Sequence, residues 1–549
     1  MRRAPSISIA MGILLVMNQA CGDTRADVVL FGGIVWTGTG VPSTAVAVAH
    51  GRIVAVGMDD DLAAYRDHAD RVIDLAGRMV VPGFMDNHTH FLDGGFGLAG
   101  VQLRDAATPG ELVRRIGRFA AEHPGTWMQG GTWDHERWGG ELPRRDWIDS
   151  VTGETPVFVG RLDGHMGLAN SRALELAGIT ADTPDPAGGT IVRYPDGRPT
   201  GVLKDAAQAL LYRVIPEPSD ADLDASLAAA ARHAVEHGVT HVTDMGSWAG
   251  LETYRRAAAR GALPLRVYAA VPIATWKRLA DYVRAHGRGD HRLAWGAVKG
   301  FVDGSLGSTT AWFYDPYDDE PATTGLMVTD TAALRRDIMR AHAAGLHVMV
   351  HAIGDRANDW LLDVYRDARA EGLYPEQRFR IEHAQHLSTA AVARFAELGV
   401  IPSAQPYHAI DDGRWAEKRI GRERIQRTYA FRDLLDAGAR LTFGSDWTVA
   451  PLDPILGIYA AVTRRTLDGA NPDGWVPAQR ITVEEALRGY TVNSAYADYR
   501  DDVVGTLEVG KYADLVVLSR DLFAIDPTEI EGVRVDLTMV NGEVVFERR

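Results

Sequence analysis

The chain has 549 residues, of which 46% are hydrophobic and 24% are charged, and its formal net charge is −15. This composition is typical of a folded protein with a large buried core, and it excludes an intrinsically disordered chain. Because the net charge is negative and no segment is rich in lysine and arginine, we expect no nucleic-acid partner.

The amino-terminal segment, residues 1–26, has the pattern of an export signal. Arg2 and Arg3 precede a short apolar stretch, and small residues follow it. The stretch is shorter than the about 20 residues that a membrane-spanning helix needs. Cys21, the only cysteine of the chain, lies directly behind it, as in a bacterial lipoprotein signal. Cleavage after Ala26 and an unprocessed tail are the alternatives. We expect export from the bacterial cytoplasm, to the periplasm or to a lipid anchor at Cys21.

Both ends of the remaining chain contain short strand-like segments. Residues 27–81 alternate apolar stretches with glycines, and residues 491–549 contain the similar segments GTLEVGKYADLVVLS and VDLTMVNGEVVFE. Apolar segments bounded by glycine predict strands. We therefore expect the two ends to meet in one small β-sandwich domain.

The middle of the chain, residues 82–490, alternates strand-like with helix-like segments. Eight such units predict an α/β fold, namely a (β/α)8 TIM barrel. The segment from about residue 95 to residue 230 is too long for one connection and is rich in tryptophan and glycine, so we expect an inserted lid subdomain over the barrel mouth. The predicted strands are the one before His88 and residues 238–246, 263–271, 294–304, 346–355, 378–385, 400–406 and 440–447.

Ionisable side chains stand at the predicted carboxyl ends of several strands, where barrel enzymes hold their catalytic groups. The first strand ends in VVPGFMDNHTH, so His88 and His90 point to the same face. Each such residue alone could be structural, but a buried ionisable group is costly without a partner. Together they predict a metal site, and they do not favour a non-catalytic binding protein. The other members of the set are Lys299, His351, His383 and Asp446.

These motifs resemble those of the amidohydrolase superfamily, and most closely amidohydrolase family 3, which includes N-substituted formamide deformylase. The matching segments are PGFMDNHTH, HAIGD, IEHAQ and GSDW, together with DGHMGLANSRAL in the insertion. The resemblance covers nearly the whole chain. It implies that Asp446 is both metal ligand and proton shuttle, and that a carboxylated Lys299 bridges two ions of Zn²⁺ or a similar divalent metal. The remaining implied ligands are His88, His90, His351 and His383.

Elementary chemistry agrees with this ligand set. Imidazole and carboxylate suit Zn²⁺, and a cationic lysine beside two metal ions would be repelled unless it is neutral or modified. Metal-bound water has a pKa near 7, so a metal-bound hydroxide with Asp446 as proton shuttle would cleave a non-peptide, amide-like carbon–nitrogen bond. Hydrolysis of an ester, lactone or carbamate is an alternative. Deamination is less favoured, because Gly354 stands where many deaminases of the superfamily have glutamate.

Five further residues are candidates for contact with a small-molecule substrate. His165 and Asn170 belong to the insertion motif, and Trp133 could line an aromatic pocket. Asp303 opens a glycine-rich loop, and His408 follows the seventh strand. The alternative for each is a structural role, such as fastening the lid or packing in a core. A homodimer is a further expectation that the sequence alone does not decide.

Overall fold

A computed structural model describes residues 25–548. The predicted lipid-anchor residue Cys21 and most of the predicted export signal lie outside the described residues. Across the described part of the chain, no helix is both long enough and apolar enough to cross a membrane.

The centre of the fold is a parallel eight-stranded sheet whose strands are neighbours in chain order. The sheet closes because the segment after the eighth strand bonds to the first: the Asp446 amide donates to the His88 carbonyl, and the His90 amide donates to the Trp447 carbonyl, both at 2.7 Å. The predicted barrel is therefore confirmed, and each predicted strand overlaps one barrel strand. The barrel strands are Phe84–Thr89, Val239–Asp244, Arg266–Pro272, Leu293–Phe301, His347–Ala352, Arg380–His383, Ile401–Ala404 and Thr442–Phe443.

Helices cover the outside of the barrel. The segment TAALRRDIMRAHAAG forms the helix Thr331–Ala343, which begins where the Asp330 carboxylate accepts the amide of Ala333 and ends before Gly345, whose φ is +71°. The other helices of this region are Phe91–Ala99, Asp220–Glu236, Trp248–Ala259, Trp276–His286, Asp355–Ala370, Thr389–Glu397, Pro406–Asp412, Ala416–Arg424, Phe431–Asp436, Pro454–Thr463, Val483–Tyr490 and Val492–Ala497.

A β-sandwich from both chain ends lies against the barrel, as predicted. Its first sheet has the order Arg52–Gly57, Ala45–Ala49, Ala26–Phe31, Ala69–Asp74, and the second has the order Ile34–Val35, Met79–Pro82, Leu515–Leu518, Val535–Val540, Glu543–Glu547. Leu30, Val48, Leu515 and Met539 belong to one buried apolar cluster between the sheets. The chain ends meet where Met79–Pro82 pairs antiparallel with Leu515–Leu518. The residue numbers at which the domains divide stay a prediction.

The segment between the first and second barrel strands carries its own six-stranded sheet. Apolar clusters that include Trp133 and Ala173 are buried within this insertion. We call residues 162–165, between two of its strands, the lid turn, because its side chains line the cavity above the barrel. The strand order is Gly189–Arg193, Pro199–Asp205, Met166–Ala169, Phe158–Arg161, Gly130–Trp133, Val101–Gln102, and the helices are Pro109–Glu122, Arg145–Thr152, Ser171–Leu176 and Ala209–Tyr212.

Candidate metal centre

Three possible metal ligands meet at the carboxyl end of the barrel. His88, His383 and Asp446 each offer one donor atom, and these atoms lie within 4.8 Å of one another. All three side chains are buried. Asp446 Oδ1 accepts no hydrogen bond from any described residue, although a buried carboxylate oxygen without a partner is costly. A divalent cation would satisfy this oxygen and two imidazole lone pairs, so the residues fit a metal ion.

The two histidines of the first strand face the same carboxylate. Asp446 Oδ1 lies 3.5 Å from His88 Nε2 and 3.4 Å from His90 Nε2. Burial and the nearby ammonium of Lys299 lower the pKa of His88 well below its ordinary value, so its ring is neutral. The neutral imidazole is the form that binds a metal ion.

Unusual backbone conformations bring two of the ligands into place. The φ angles of His383 and Asp446 are +74° and +56°, in the left-handed region that non-glycine residues rarely adopt. In an extended strand, Glu382 and His383 would point to opposite faces. Here Glu382 bonds to His88, and the His383 ring lies 4.8 Å from the His88 ring. The positive φ of His383 therefore lets two consecutive side chains serve one site.

Lys299 and His351 stand beside these three residues. Lys299 Nζ lies 3.2 Å from His88 Nε2, and burial lowers the pKa of this lysine to about 8. A lowered pKa makes the uncharged amine more available, and only that form can be carboxylated. The His351 ring lies 4.5 Å from the His383 ring, and His351 Nε2 is within hydrogen-bond distance, 2.9 Å, of the Gly304 carbonyl. Because a carbonyl only accepts, Nε2 is the donor and Nδ1 of the neutral ring keeps its lone pair.

A buried polar network orients the first-strand histidine, and sequence reasoning did not identify it. The ring of His88 donates from Nδ1 to Glu382 at 2.6 Å, which leaves its Nε2 for a metal ion. Arg380 donates to Glu382 at 2.9 Å and to Asp498 at 2.8 Å. His383 is oriented separately, by a 2.8 Å bond from Nδ1 to Gln405. The sequence does contain a signal for this network. Arg380 and Glu382 are two charged residues at alternate positions of a strand that the barrel buries on both faces, so they need buried partners.

The cavity above the centre is closed on one side by the insertion. His165, Asp163 and Arg161 line it together with the metal-site residues. Asp163 accepts from Arg161 at 2.7 Å and from Ser308 at 2.9 Å, so it joins the lid turn to the loop after the fourth barrel strand. Burial alone would raise the pKa of Asp163, but the guanidinium of Arg161 outweighs it and holds that pKa well below the ordinary value.

His165 and His408 both line the cavity, and their contact with a substrate stays a prediction. His165 bonds through Nδ1 to Asp205 at 2.6 Å. Burial alone would lower the pKa of His165, but the carboxylate of Asp205 outweighs it, so this pKa is raised. The His408 ring stacks over His383 with centroids 6.4 Å apart, and its buried Nε2 has no hydrogen-bond partner among the described residues.

Asp303 holds the backbone around His351 and does not line the cavity. Its carboxylate accepts the amides of Trp312 at 2.7 Å, Ile353 at 3.0 Å and Gly354 at 2.8 Å. Burial raises the pKa of Asp303 to about 7. The structure gives the Asp303 carboxylate this role in holding the backbone, and its contact with a substrate stays a prediction.

Asn170 and Trp133 make structural contacts within the insertion, and their contact with a substrate stays a prediction. The Asn170 carbonyl oxygen accepts the amide of Ala173 and so caps the helix Ser171–Leu176, while its amide donates to Thr152 and to the backbone of Thr155, both at 2.9 Å. Trp133 is buried in the insertion, and its indole donates to a backbone carbonyl at 2.8 Å. Neither lines the cavity over the metal centre.

Comparison with known proteins agrees with this geometry. A family model described as the amidohydrolase family matches residues 71–546. The chain belongs to the amidohydrolase family. The resemblance seen in the motifs, including the branch with N-substituted formamide deformylase, is thereby confirmed, and the protein is a hydrolase of the class that acts on carbon–nitrogen bonds.

Individual known proteins match this chain over most of their length. Protein LONG AFTER FAR-RED 3 of Arabidopsis thaliana is 39% identical over 90% of this chain and 87% of its own. N-substituted formamide deformylase of Arthrobacter pascens is 32% identical over 92% of this chain and 95% of its own. The structure of an uncharacterized metal-dependent hydrolase from Pyrococcus horikoshii OT3 superposes with a TM-score of 0.75 at 30% identity, over 91% of this chain and 99% of that one.

Proposed function

We propose that this amidohydrolase is metal-dependent and cleaves a non-peptide, amide-like carbon–nitrogen bond in a small molecule. The observation that carries the proposal is the meeting of His88, His383 and Asp446, with a carboxylate oxygen that no described residue satisfies. The similarity to N-substituted formamide deformylase supports an amide substrate.

His88, His383 and Asp446 would hold the metal, together with neighbouring residues. His90 and His351 add imidazoles, and Lys299 would add an anionic oxygen once carboxylated, so that two divalent ions are accommodated. When bound, such ions lower the pKa of water and polarise a carbonyl group. Zn²⁺ is the ion that this mixture of imidazole and carboxylate suits best.

The chain's own residues supply orientation and proton transfer. Glu382 fixes the tautomer of His88, and Gln405 fixes that of His383. Asp446 is ionised: burial alone would raise its pKa, but the imidazole of His90, whose Nε2 lies 3.4 Å from Oδ1, holds that pKa below the ordinary value. The Asp446 carboxylate accepts a proton from the attacking water and returns it to the leaving nitrogen. The lid turn lines the cavity in which this exchange would take place.

Deamination of the superfamily's kind does not fit the loop after the fifth strand. A Cβ atom added to Gly354 would lie 2.1 Å from the carbonyl oxygen of Trp312. The glutamate that those deaminases carry at this position would therefore force the loop apart. The next carboxylate, Asp355, accepts the backbone amides of Tyr314 and Arg356.

A matched substrate panel tests the proposal. The full-length, zinc-loaded enzyme is given N-substituted formamides, the corresponding acetamides and formate esters of equal size, and product amine or alcohol is measured. We expect amide hydrolysis that stops after chelation and returns when Zn²⁺ is added. Faster turnover of the esters would favour the alternative, hydrolysis of an ester or a related acyl bond. Turnover that does not depend on metal would contradict the proposal.

A further inference from the structure

The cavity over the metal centre is also lined by polar residues that belong to neither the metal centre nor the lid turn. We call Gln385, Asp412 and Trp415 the distal wall. Asp412 follows His408 by one turn of the same helix, and the His408 ring stacks over His383 with centroids 6.4 Å apart. Residues four apart on a helix have their Cβ atoms about 6 Å apart. The distal wall is therefore within reach of a short chain whose other end is at the metal centre.

Two oxygen atoms of the distal wall accept no hydrogen bond from any described residue. The amide nitrogen of Gln385 donates to Asp412 Oδ2 at 3.0 Å, and the Tyr429 hydroxyl donates to the same oxygen at 2.5 Å. Because an ionised carboxylate only accepts, the first bond fixes which end of the Gln385 amide is the nitrogen. Gln385 is only 3% exposed, yet its Oε1 has no partner, and neither has Asp412 Oδ1. Acceptors left in this way indicate a donor that enters the cavity.

Asp412 also carries a charge that no described side chain neutralises by a close contact. Three neighbouring carboxylates make close ion pairs, namely Asp134 with Arg161 and Arg414, Asp163 with Arg161, and Asp411 with Arg104 and Arg414. The four carboxylates and three guanidiniums of this cluster therefore leave one negative charge when Asp412 is ionised. Burial raises the pKa of Asp412 to about 7, although Tyr429 and the neighbouring guanidiniums lower it. The distal wall thus favours a cation.

Resting on the proposed function, we propose that the distal wall binds a primary ammonium group, and that the substrates are amides with this second nitrogen on a short hydrocarbon chain. A primary ammonium has three N–H donors, so it can bond to Asp412 Oδ1 and Gln385 Oε1 together. Its charge compensates that of Asp412, and charge-assisted hydrogen bonds are the stronger kind. Leu306, Ile353 and Val449 line the same cavity and offer apolar contact to the chain.

The chemistry of the distal wall disfavours other end groups on the substrate. A hydroxyl group has one donor and no charge, so it would satisfy only one of the two acceptors. A carboxylate or phosphate would be repelled by the ionised Asp412. The acyl group of a formamide has no chain, so in such a substrate the ammonium is attached on the nitrogen side of the bond that is cleaved.

A chain-length series with the full-length, zinc-loaded wild type tests this inference. Mono-N-formylated diamines with about two to six methylene groups are compared, at about pH 8, with N-alkylformamides in which a methyl group replaces the ammonium. An alkyl ammonium has a pKa near 10 and stays charged. We expect kcat/KM to be about 10- to 100-fold higher for the best ammonium substrate than for its alkyl counterpart, with one preferred chain length.

Variants of the distal wall are compared by the ratio of kcat/KM for the ammonium substrate to kcat/KM for its alkyl counterpart, since a general loss of activity does not change this ratio. Asp412→Asn removes the charge and nearly keeps the shape, so the ratio should fall at least about tenfold. Tyr429→Phe should lower the ratio by a smaller factor, because Tyr429 only positions the carboxylate. The exposed Asp502→Asn is the control and should keep the wild-type ratio. Bound zinc per chain and the melting temperature show that each variant is loaded and folded.

Two results would overturn the inference. One is equal kcat/KM for ammonium and alkyl substrates at every chain length in the wild type, a comparison that needs no variant to fold. The other is a wild-type ratio in folded Asp412→Asn. A wild-type enzyme that hydrolyses no amide would refute the proposed function itself, whereas an enzyme that hydrolyses N-alkylformamides at least as fast as their ammonium counterparts refutes this inference alone.

Discussion

The Asp446 carboxylate combines several features that folding alone does not favour. It is buried, one of its oxygens has no described hydrogen-bond partner, and its backbone has a positive φ. Each feature costs free energy in the absence of a ligand. A binding or catalytic role explains why the three occur at one residue, and perturbed groups in a cleft are typical of functional sites.

Replacing Asp446 by asparagine should remove catalysis without removing the fold. Asparagine has nearly the same shape and tolerates a positive φ, but it cannot take up the proton. We expect kcat to fall by at least about 100-fold, with a melting temperature of the metal-free protein equal to or above that of wild type. The exposed Asp473→Asn is the control. A variant that keeps a tenth of the activity would show that another group transfers the proton.

Glu382 acts on the metal through His88, so its replacement should weaken metal binding. We expect Glu382→Gln to raise the Kd for Zn²⁺ about 10- to 100-fold, as measured by competition with a chromophoric chelator. The variant should also be less stable, because Arg380 loses a buried partner. The exposed Glu397→Gln serves as control. Unchanged zinc affinity in the folded variant would mean that Glu382 only supports the barrel interior.

At the scale of the elements, buried strands were predictable and the orientation of the lid was not. The barrel strands are apolar because helices cover them, and the histidines interrupt that pattern visibly. Asn170 and His165 stand five residues apart in one motif, yet one caps a helix and the other enters the cavity. This difference depends on how the insertion's strands pair, which is a tertiary property without a local signal. The periodicity of the residues likewise gives no indication of the positive φ angles of His383 and Asp446.

The lid turn depends on the charge of Asp163. Because the pKa of this carboxyl is lowered by folding, its contribution to stability is present above the ordinary aspartate pKa, near 4, and is lost as pH falls further. The free energy of unfolding of Asp163→Asn should be about 3 kcal/mol lower than that of wild type at pH 7. The difference should shrink between pH 4 and pH 3 in urea titrations. The exposed Asp182→Asn provides the control, and a difference independent of pH would contradict this account.

On the scale of the whole molecule, the insertion and the β-sandwich occupy opposite ends of the barrel. The sandwich is bound by the buried ion pair of Asp514 with Arg266, the first residue of the third barrel strand, at 2.6 Å. The lid turn lies over the carboxyl ends, where the metal ligands are. Metal should therefore stabilise the barrel and lid more directly than the sandwich.

Removing metal should lower thermal stability in a concentration-dependent way. A ligand that binds only the folded state at 1,000 times its Kd stabilises that state by about 4.1 kcal/mol. We expect chelated protein to melt earlier and each increase in free Zn²⁺ to raise the melting temperature, as followed by calorimetry. A melting temperature that does not respond to zinc would contradict a metal site in the native protein.

We propose that export processing cuts before Cys21 and not after Ala26. Ala26 is fully buried and pairs with Ala69 in the first sheet of the sandwich, so a cut behind it would remove part of a strand. Mass spectrometry of the mature protein from a bacterial host should find a lipid-modified Cys21, and Cys21→Ser should abolish the modification. A mature chain that begins at Asp27 would refute this proposal.

The left-handed backbone of His383 and Asp446 has a consequence for directed evolution. A substitution by glycine at either position would relieve strain and would also remove a ligand. Libraries selected for heat resistance alone, in the absence of metal, should therefore enrich inactive clones at these two codons, since stability and activity oppose each other there. Selection for catalysis in every round is needed to keep both residues.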